Sequence, residues 1–137
     1  MVSDTKTPVV LCWHMHQPSY QDMRTDQFLF PWVYLHTIKD YSDMAAHLEA
    51  HPKMRVTCNF VPVLLDQLED YASQIKENKL RDPLLALLIE PDLEHITQAQ
   101  RDLILEYCFR CNHVTMVRPY PAYQPLPELF QLADRQG

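Results

Sequence analysis

After seven residues the chain enters an unbroken apolar run, Pro8-Val9-Val10-Leu11-Cys12-Trp13, that gives way abruptly to His14-Met15-His16-Gln17-Pro18. A run of β-formers closed by polar side chains predicts a buried strand over Val9 to His14, carrying those side chains to its carboxyl end, where ligand sites of α/β folds lie. The period of two along a strand puts His14 and His16 on one side and Met15 on the other, so two imidazoles can face one pocket. A polar and aromatic connection, Ser19 to Phe30, follows; long loops at that end of a sheet tend to build sites. Pro31 then opens a helix in which Tyr34, Ile38, Tyr41, Ala45 and Leu48 form an apolar stripe through Glu49, and Pro52 closes the segment. His36, Asp40, Asp43 and His47 make the opposite stripe, read as a solvated face with local ion pairs, with His36 one turn from Trp32.

Arg55-Val56-Thr57-Cys58-Asn59-Phe60 predicts a second buried strand ending at Asn59. Pro62 opens a second helix to Lys76, with Val61, Leu64, Leu65, Leu68, Tyr71, Ala72 and Ile75 on its apolar face. Strand, helix, strand, helix is the signature of a parallel α/β unit. Beyond Asn78 the pattern is helical. Asp82-Pro83 starts a helix over Leu84 to Ile89, and Thr97-Gln98-Ala99-Gln100 is a capping box for a helix to about Asn112 with Leu103, Ile104, Tyr107, Cys108 and Cys111 on its core face. His113 to Val117 reads as a short strand or an extended connection, and a last helix runs from about Pro127 to Arg135. The chain thus divides into a βαβα core over 8–76 and a mainly helical extension over 77–137. Two strands apolar on both faces need neighbours, so the sheet reads as the start of a larger α/β protein, or as one completed by a homo-oligomer.

Composition narrows the chemistry. With 137 residues, 47% hydrophobic and 22% charged, the chain fits an ordinary globular domain. A net charge of −6 without a basic cluster gives no footprint for nucleic acid. No apolar run is long enough to span a membrane, and Met1 to Thr7 lacks a secretory pattern, so a cytoplasmic protein is expected. Gly137 is the only glycine, which removes the P-loop and the dinucleotide fingerprint, since both need glycine where backbone meets phosphate. Cys12, Cys58, Cys108 and Cys111 are expected as free, buried thiols. Cys108, Cys111 and His113 lack the second ligand pair of a structural zinc site. No cofactor or metal is expected.

Three segments, Trp13 to Pro18, Pro31 to Tyr41 and Cys58 to Leu68, resemble in order and spacing the amino-terminal region of glycoside hydrolase family 57, the α-amylase, 4-α-glucanotransferase, branching-enzyme and amylopullulanase group. His16-Gln17-Pro18 matches that family's first signature region. The resemblance implies the first βαβα units of an incomplete seven-stranded β/α barrel, followed by a helical segment, in an enzyme acting on α-glucans with retention of configuration. It further implies that His14 and His16 hydrogen-bond sugar hydroxyls, with Gln17 beside them, Trp32 for stacking and Asn59 as a further contact. Retention needs two carboxylates about 5–5.5 Å apart, a nucleophile and an acid/base. Those of the family sit in later signature regions that find no match here, so the chain is expected to bind an α-glucan or oligosaccharide without cleaving it. Two other readings stay open: the His-x-His as the start of a barrel metallohydrolase site, and a non-enzymatic helical interaction module whose histidines satisfy core carbonyls.

Overall fold

A computed structural model describes residues 7–136, with the backbone alone for residues 133–136. The segment Met1 to Lys6, read above as lacking a secretory pattern, and Gly137 lie outside the described residues. The chain forms two compact units, one up to Pro83 and one from Leu84.

In the first unit, β1 (Cys12–Met15) leads to α1 (Trp32–His36), a π-helical turn (Thr37–Tyr41), α2 (Ser42–Ala50), β2 (Thr57–Phe60) and α3 (Pro62–Glu77). The strands pair in parallel with Cys12 opposite Thr57, Trp13 opposite Cys58, His14 opposite Asn59 and Met15 opposite Phe60. Both strands start later than the apolar pattern suggests, at Cys12 rather than Val9 and at Thr57 rather than Arg55. The ladder runs from Thr57 N donating to Leu11 O (2.9 Å) to Val61 N donating to Met15 O (3.2 Å), and among the described residues no strand pairing precedes it. The expectation of burial on both faces also fails: Met15 is buried, but Cys12, His14 and all of β2 are exposed. Val10 is 83% exposed.

The connection after β1 is a small hairpin. Gln21 bridges Phe28 in antiparallel fashion, Leu29 N donates to Tyr20 O (2.9 Å), and Asp22 N donates to Gln27 O (2.9 Å). Lacking glycine, the turn uses Asp26 at φ 64°, since a short polar side chain tolerates the left-handed region better than a bulky one. Arg24 N–H and the Thr25 hydroxyl donate to the Asp22 carboxylate; the Arg24 amide bond contributes most to holding its pKa below the usual value. The hairpin drops Phe28 into the core, its ring centroid 4.4 Å from that of Tyr71, while Tyr34 packs on the same Tyr71 ring at 5.9 Å. Tyr71 donates to the Asp82 carboxylate, and burial first, with that bond next, pushes its pKa well up. Arg81 pairs with both Asp26 and Asp70, joining the hairpin to α3.

Two apolar stripes lie differently from the periodicity. The π turn adds a residue to the first helix, so a 3.6-residue stripe cannot stay on one face; Val33 and Tyr34 are buried, while Ile38 and Ala45 are exposed. Thr37 Oγ1 donates to Val33 O (2.6 Å) and Ser42 Oγ to Thr37 O (2.8 Å), satisfying carbonyls across the irregular turn. On α3, which packs against α1, the buried positions are Leu64, Gln67, Tyr71 and Gln74; Leu65, Ala72 and Ile75 of the expected face are exposed. Two glutamines occupy the inward face because loop backbone lies there and needs partners. Gln74 Oε1 accepts from Arg81 N (2.6 Å). Gln67 accepts from Tyr20 N (3.0 Å) and donates to Pro18 O and Val63 O (both 3.0 Å). Asn78, left-handed at φ 54°, ends α3.

The second unit is helical. α4 (Pro83–Leu88) crosses its boundary, followed by α5 (Gln98–Cys108), α6 (His113–Met116), a 3-10 turn (Pro121–Tyr123) and α7 (Leu126–Gln136). Both halves of the Thr97–Gln100 capping box are formed. α5 ends at Cys108, short of the expected Asn112. Asn112 instead caps α6, its Oδ1 accepting from Val114 N (3.0 Å) and Thr115 N (3.3 Å), which makes His113 to Met116 a helical turn in place of the expected strand or extended link. Phe109 stacks on Phe130 with centroids 4.6 Å apart. The four cysteines are free, but none is buried as expected: Cys12, Cys58 and Cys108 are exposed and Cys111 half-buried. Cys12 and Cys58 sit on uncovered strands, and Cys108 lies on the last turn of α5, away from buried Tyr107. No helix among the described residues is long and apolar enough to cross a membrane.

Gln67→Leu keeps the volume roughly constant but strands the Tyr20 amide and Pro18 carbonyl. It is expected to lower stability by about 1–3 kcal/mol, read as a shift in the urea midpoint of the first unit. Thr97→Ala removes one half of the capping box and is expected to cost about 1 kcal/mol, seen as faster amide exchange in the first turn of α5 with β1 and β2 unchanged.

Candidate functional site

The exposed face of β1 and the turn beyond it gather the polar residues singled out from the sequence. His14 points away from buried Met15, as the period of two requires. His16, two residues on, lies on the same side, and the two rings are nearly parallel, 11° apart, with centroids 5.9 Å from one another. Parallel register puts Asn59 directly opposite His14, and Asn59 Oδ1 lies 2.7 Å from His14 Nδ1. A carbonyl oxygen can only accept, so in a neutral ring this bond takes the Nδ1–H tautomer of His14 and leaves Nε2 as the acceptor.

Gln17 is half-buried at the start of the turn. Its Oε1 accepts from the Tyr20 hydroxyl at 3.0 Å. Tyr20 packs edge-on against Phe30, with centroids 5.8 Å apart, and burial, reinforced by Tyr41, raises its phenol pKa. The phenol therefore stays protonated and donating at neutral pH. Beneath it, Gln67, only 4% exposed, ties the Pro18 carbonyl and the Tyr20 amide to α3.

Trp32 opens α1 and is half-buried, its ring centroid 6.4 Å from that of His36 one turn on. His36 Nδ1 pairs with the Asp40 carboxylate across the π turn, and Lys39 with Asp43, the local pairing expected of this face. The fold thus brings His14, His16 and Asn59 into one group, braces Gln17 through Tyr20, and sets Trp32 beside His36. Among the described residues no three His, Cys, Asp or Glu side chains are grouped to hold a metal ion. His113 Nε2 lies 3.2 Å from the Phe109 carbonyl, as a helix-terminal contact.

Gln67 is the residue that sequence reasoning passed over. Its signal is a polar side chain between Leu64 and Tyr71, where the helical period calls for an apolar one. Tyr20 had the weaker mark of an aromatic three residues beyond Gln17.

Comparison with known proteins adds one finding. The model of glycosyl hydrolase family 57 matches residues 10–128. No curated protein and no solved structure matches the chain. The match takes in both strands, the paired histidines, Asn59, the turn held by Gln67 and nearly all of the helical unit, and the chain belongs to glycosyl hydrolase family 57.

Proposed function

We propose that this chain forms part of the sugar-binding floor of a retaining glycoside hydrolase or transglycosylase that acts on α-glucans. In this reading β1 and β2 are the first strands of an incomplete seven-stranded β/α barrel. His14, His16, Gln17, Trp32 and Asn59 contact the substrate. The observation that carries it is the stacked His14–His16 pair, backed by Asn59 at the carboxyl end of a parallel strand pair, in a chain that belongs to family 57.

Neutral imidazoles and a carboxamide offer both donors and acceptors to sugar hydroxyls without bringing a charge to be desolvated. A half-exposed indole suits the apolar face of a pyranose. The exposed side chains of β1 and β2 support a further layer over them, because a parallel sheet is normally covered on both faces, and their outer edges leave room for further strands.

No carboxylate of this chain is assigned a catalytic role. Asp22 is held by the Arg24 amide, Asp26 and Asp70 are paired with Arg81, and Asp40 is paired with His36. Each serves the local structure. In this proposal the nucleophile and the acid/base group, which a retaining mechanism needs about 5–5.5 Å apart, come from other strands of the barrel.

Titration with a maltooligosaccharide, followed through the imidazole signals, is expected to shift His14 and His16 saturably. Removing one hydrogen-bonding ring by His16→Ala should weaken binding by about tenfold; unchanged binding by both His14→Ala and His16→Ala would overturn the site. Incubated with the same sugar, the 137-residue chain is expected to release no product by reducing-end assay, and turnover would overturn the assignment of the carboxylates.

A further inference from the structure

His14, His16 and Gln17 each carry two polar atoms, and the structure commits them unequally. His14 Nδ1 is taken by Asn59 Oδ1 at 2.7 Å. Gln17 Oε1 is taken by the Tyr20 hydroxyl at 3.0 Å. His16 is stacked on His14 without a hydrogen bond among the described residues. Committing one atom decides the role of the other. A His14 hydrogen on Nδ1 leaves Nε2 as a pure acceptor, and a Gln17 carbonyl already accepting leaves the Nε2 amide as a pure donor.

We propose that Tyr20 and Asn59 are positioning residues that set the hydrogen-bond polarity of the site, Asn59 fixing His14 as an acceptor and Tyr20 fixing Gln17 as a donor. The assignment rests on the sugar-binding reading above and deepens it. His16, unbraced, adopts either tautomer and adapts to what the ligand presents.

The braces are themselves braced. Asn59 is fixed opposite His14 by strand register. Tyr20 is held at its amide by Gln67 and at its ring by Phe30. Its hydroxyl donates to Gln17 Oε1 at 3.0 Å, and that bond leaves the Gln17 amide nitrogen for the ligand.

The consequence is a rule for the ligand. The group facing His14 Nε2 must bring a hydrogen, so it is a free hydroxyl. The group facing Gln17 Nε2 need only bring a lone pair, so a glycosidic or ring oxygen serves as well as a hydroxyl. Methylation of the oxygen facing His14 abolishes its bond, whereas methylation at Gln17 leaves an acceptor in place.

Two measurements on the whole chain test this. Long-range proton–nitrogen spectra of the free protein should show His14 with its hydrogen on Nδ1. The preference should be lost in Asn59→Ala and restored in Asn59→Asp, whose carboxylate also accepts. Tyr20→Phe, which removes one hydroxyl and keeps the ring on Phe30, should leave the unfolding midpoint near wild type and weaken maltooligosaccharide binding by about tenfold. A His14 hydrogen on Nε2 in the free protein would overturn the role of Asn59. Wild-type affinity in Tyr20→Phe would overturn that of Tyr20. Absence of sugar binding by the wild type would count against the proposed function, and the tautomer would still decide the polarity given to His14.

Discussion

Parallel pairing of Cys12–Met15 with Thr57–Phe60 is the constraint on which the first unit and its site depend. Register in a sheet is discrete, and a slip by one residue reverses the face of every side chain. In the observed register Met15 goes inward, His14 and His16 go outward, and Asn59 stands against His14. A slip of one place would remove Asn59 from His14 and, with it, the bond that fixes the imidazole tautomer. The ladder is only four residues long on each strand, so helices and loops around it must hold it in place.

That holding falls to α3 and the hairpin. α3 reaches the turn beyond β1 through Gln67 and the Arg81 segment through Gln74. Arg81 bridges to Asp26 in the hairpin and Asp70 in α3. Phe28, Tyr34 and Tyr71 fill the space between them. Buried amides with every bond made are more selective than apolar contacts, because a misplaced loop leaves polar atoms unsatisfied. The loop that carries Gln17 is thus located by hydrogen bonds, while the aromatic cluster supplies apolar burial beside it.

Membership of glycosyl hydrolase family 57 gives these details a chemical setting. At the end of β1, His14 pairs with Asn59 and Gln17 with the Tyr20 hydroxyl, so each side chain has one polar atom held by the fold. The strands that present them are uncovered, and the helical unit from Leu84 onward has its own caps and its own aromatic pair.

Much of this was legible from residue order. The two strands, the common face of His14 and His16, the start of α3 at Pro62 and the Thr97–Gln100 capping box all follow from local rules, which act through the backbone of a few neighbouring residues, and the strand–helix–strand order pointed to parallel pairing. Tertiary structure decided the rest. Periodicity put Leu65, Ala72 and Ile75 inside; the fold turned Gln67 and Gln74 inward, since the loops they satisfy are 40 or more residues away in one case and across a turn in the other. The π turn moved the stripe of the first helix, and Asn112 found amides to cap where a strand was expected. Above all, the sequence places Asn59 at a strand end and His14 at another, but only strand register brings Oδ1 to Nδ1. Patterns along a chain determine which way a side chain faces; which partner it meets is set by contacts between segments distant in sequence.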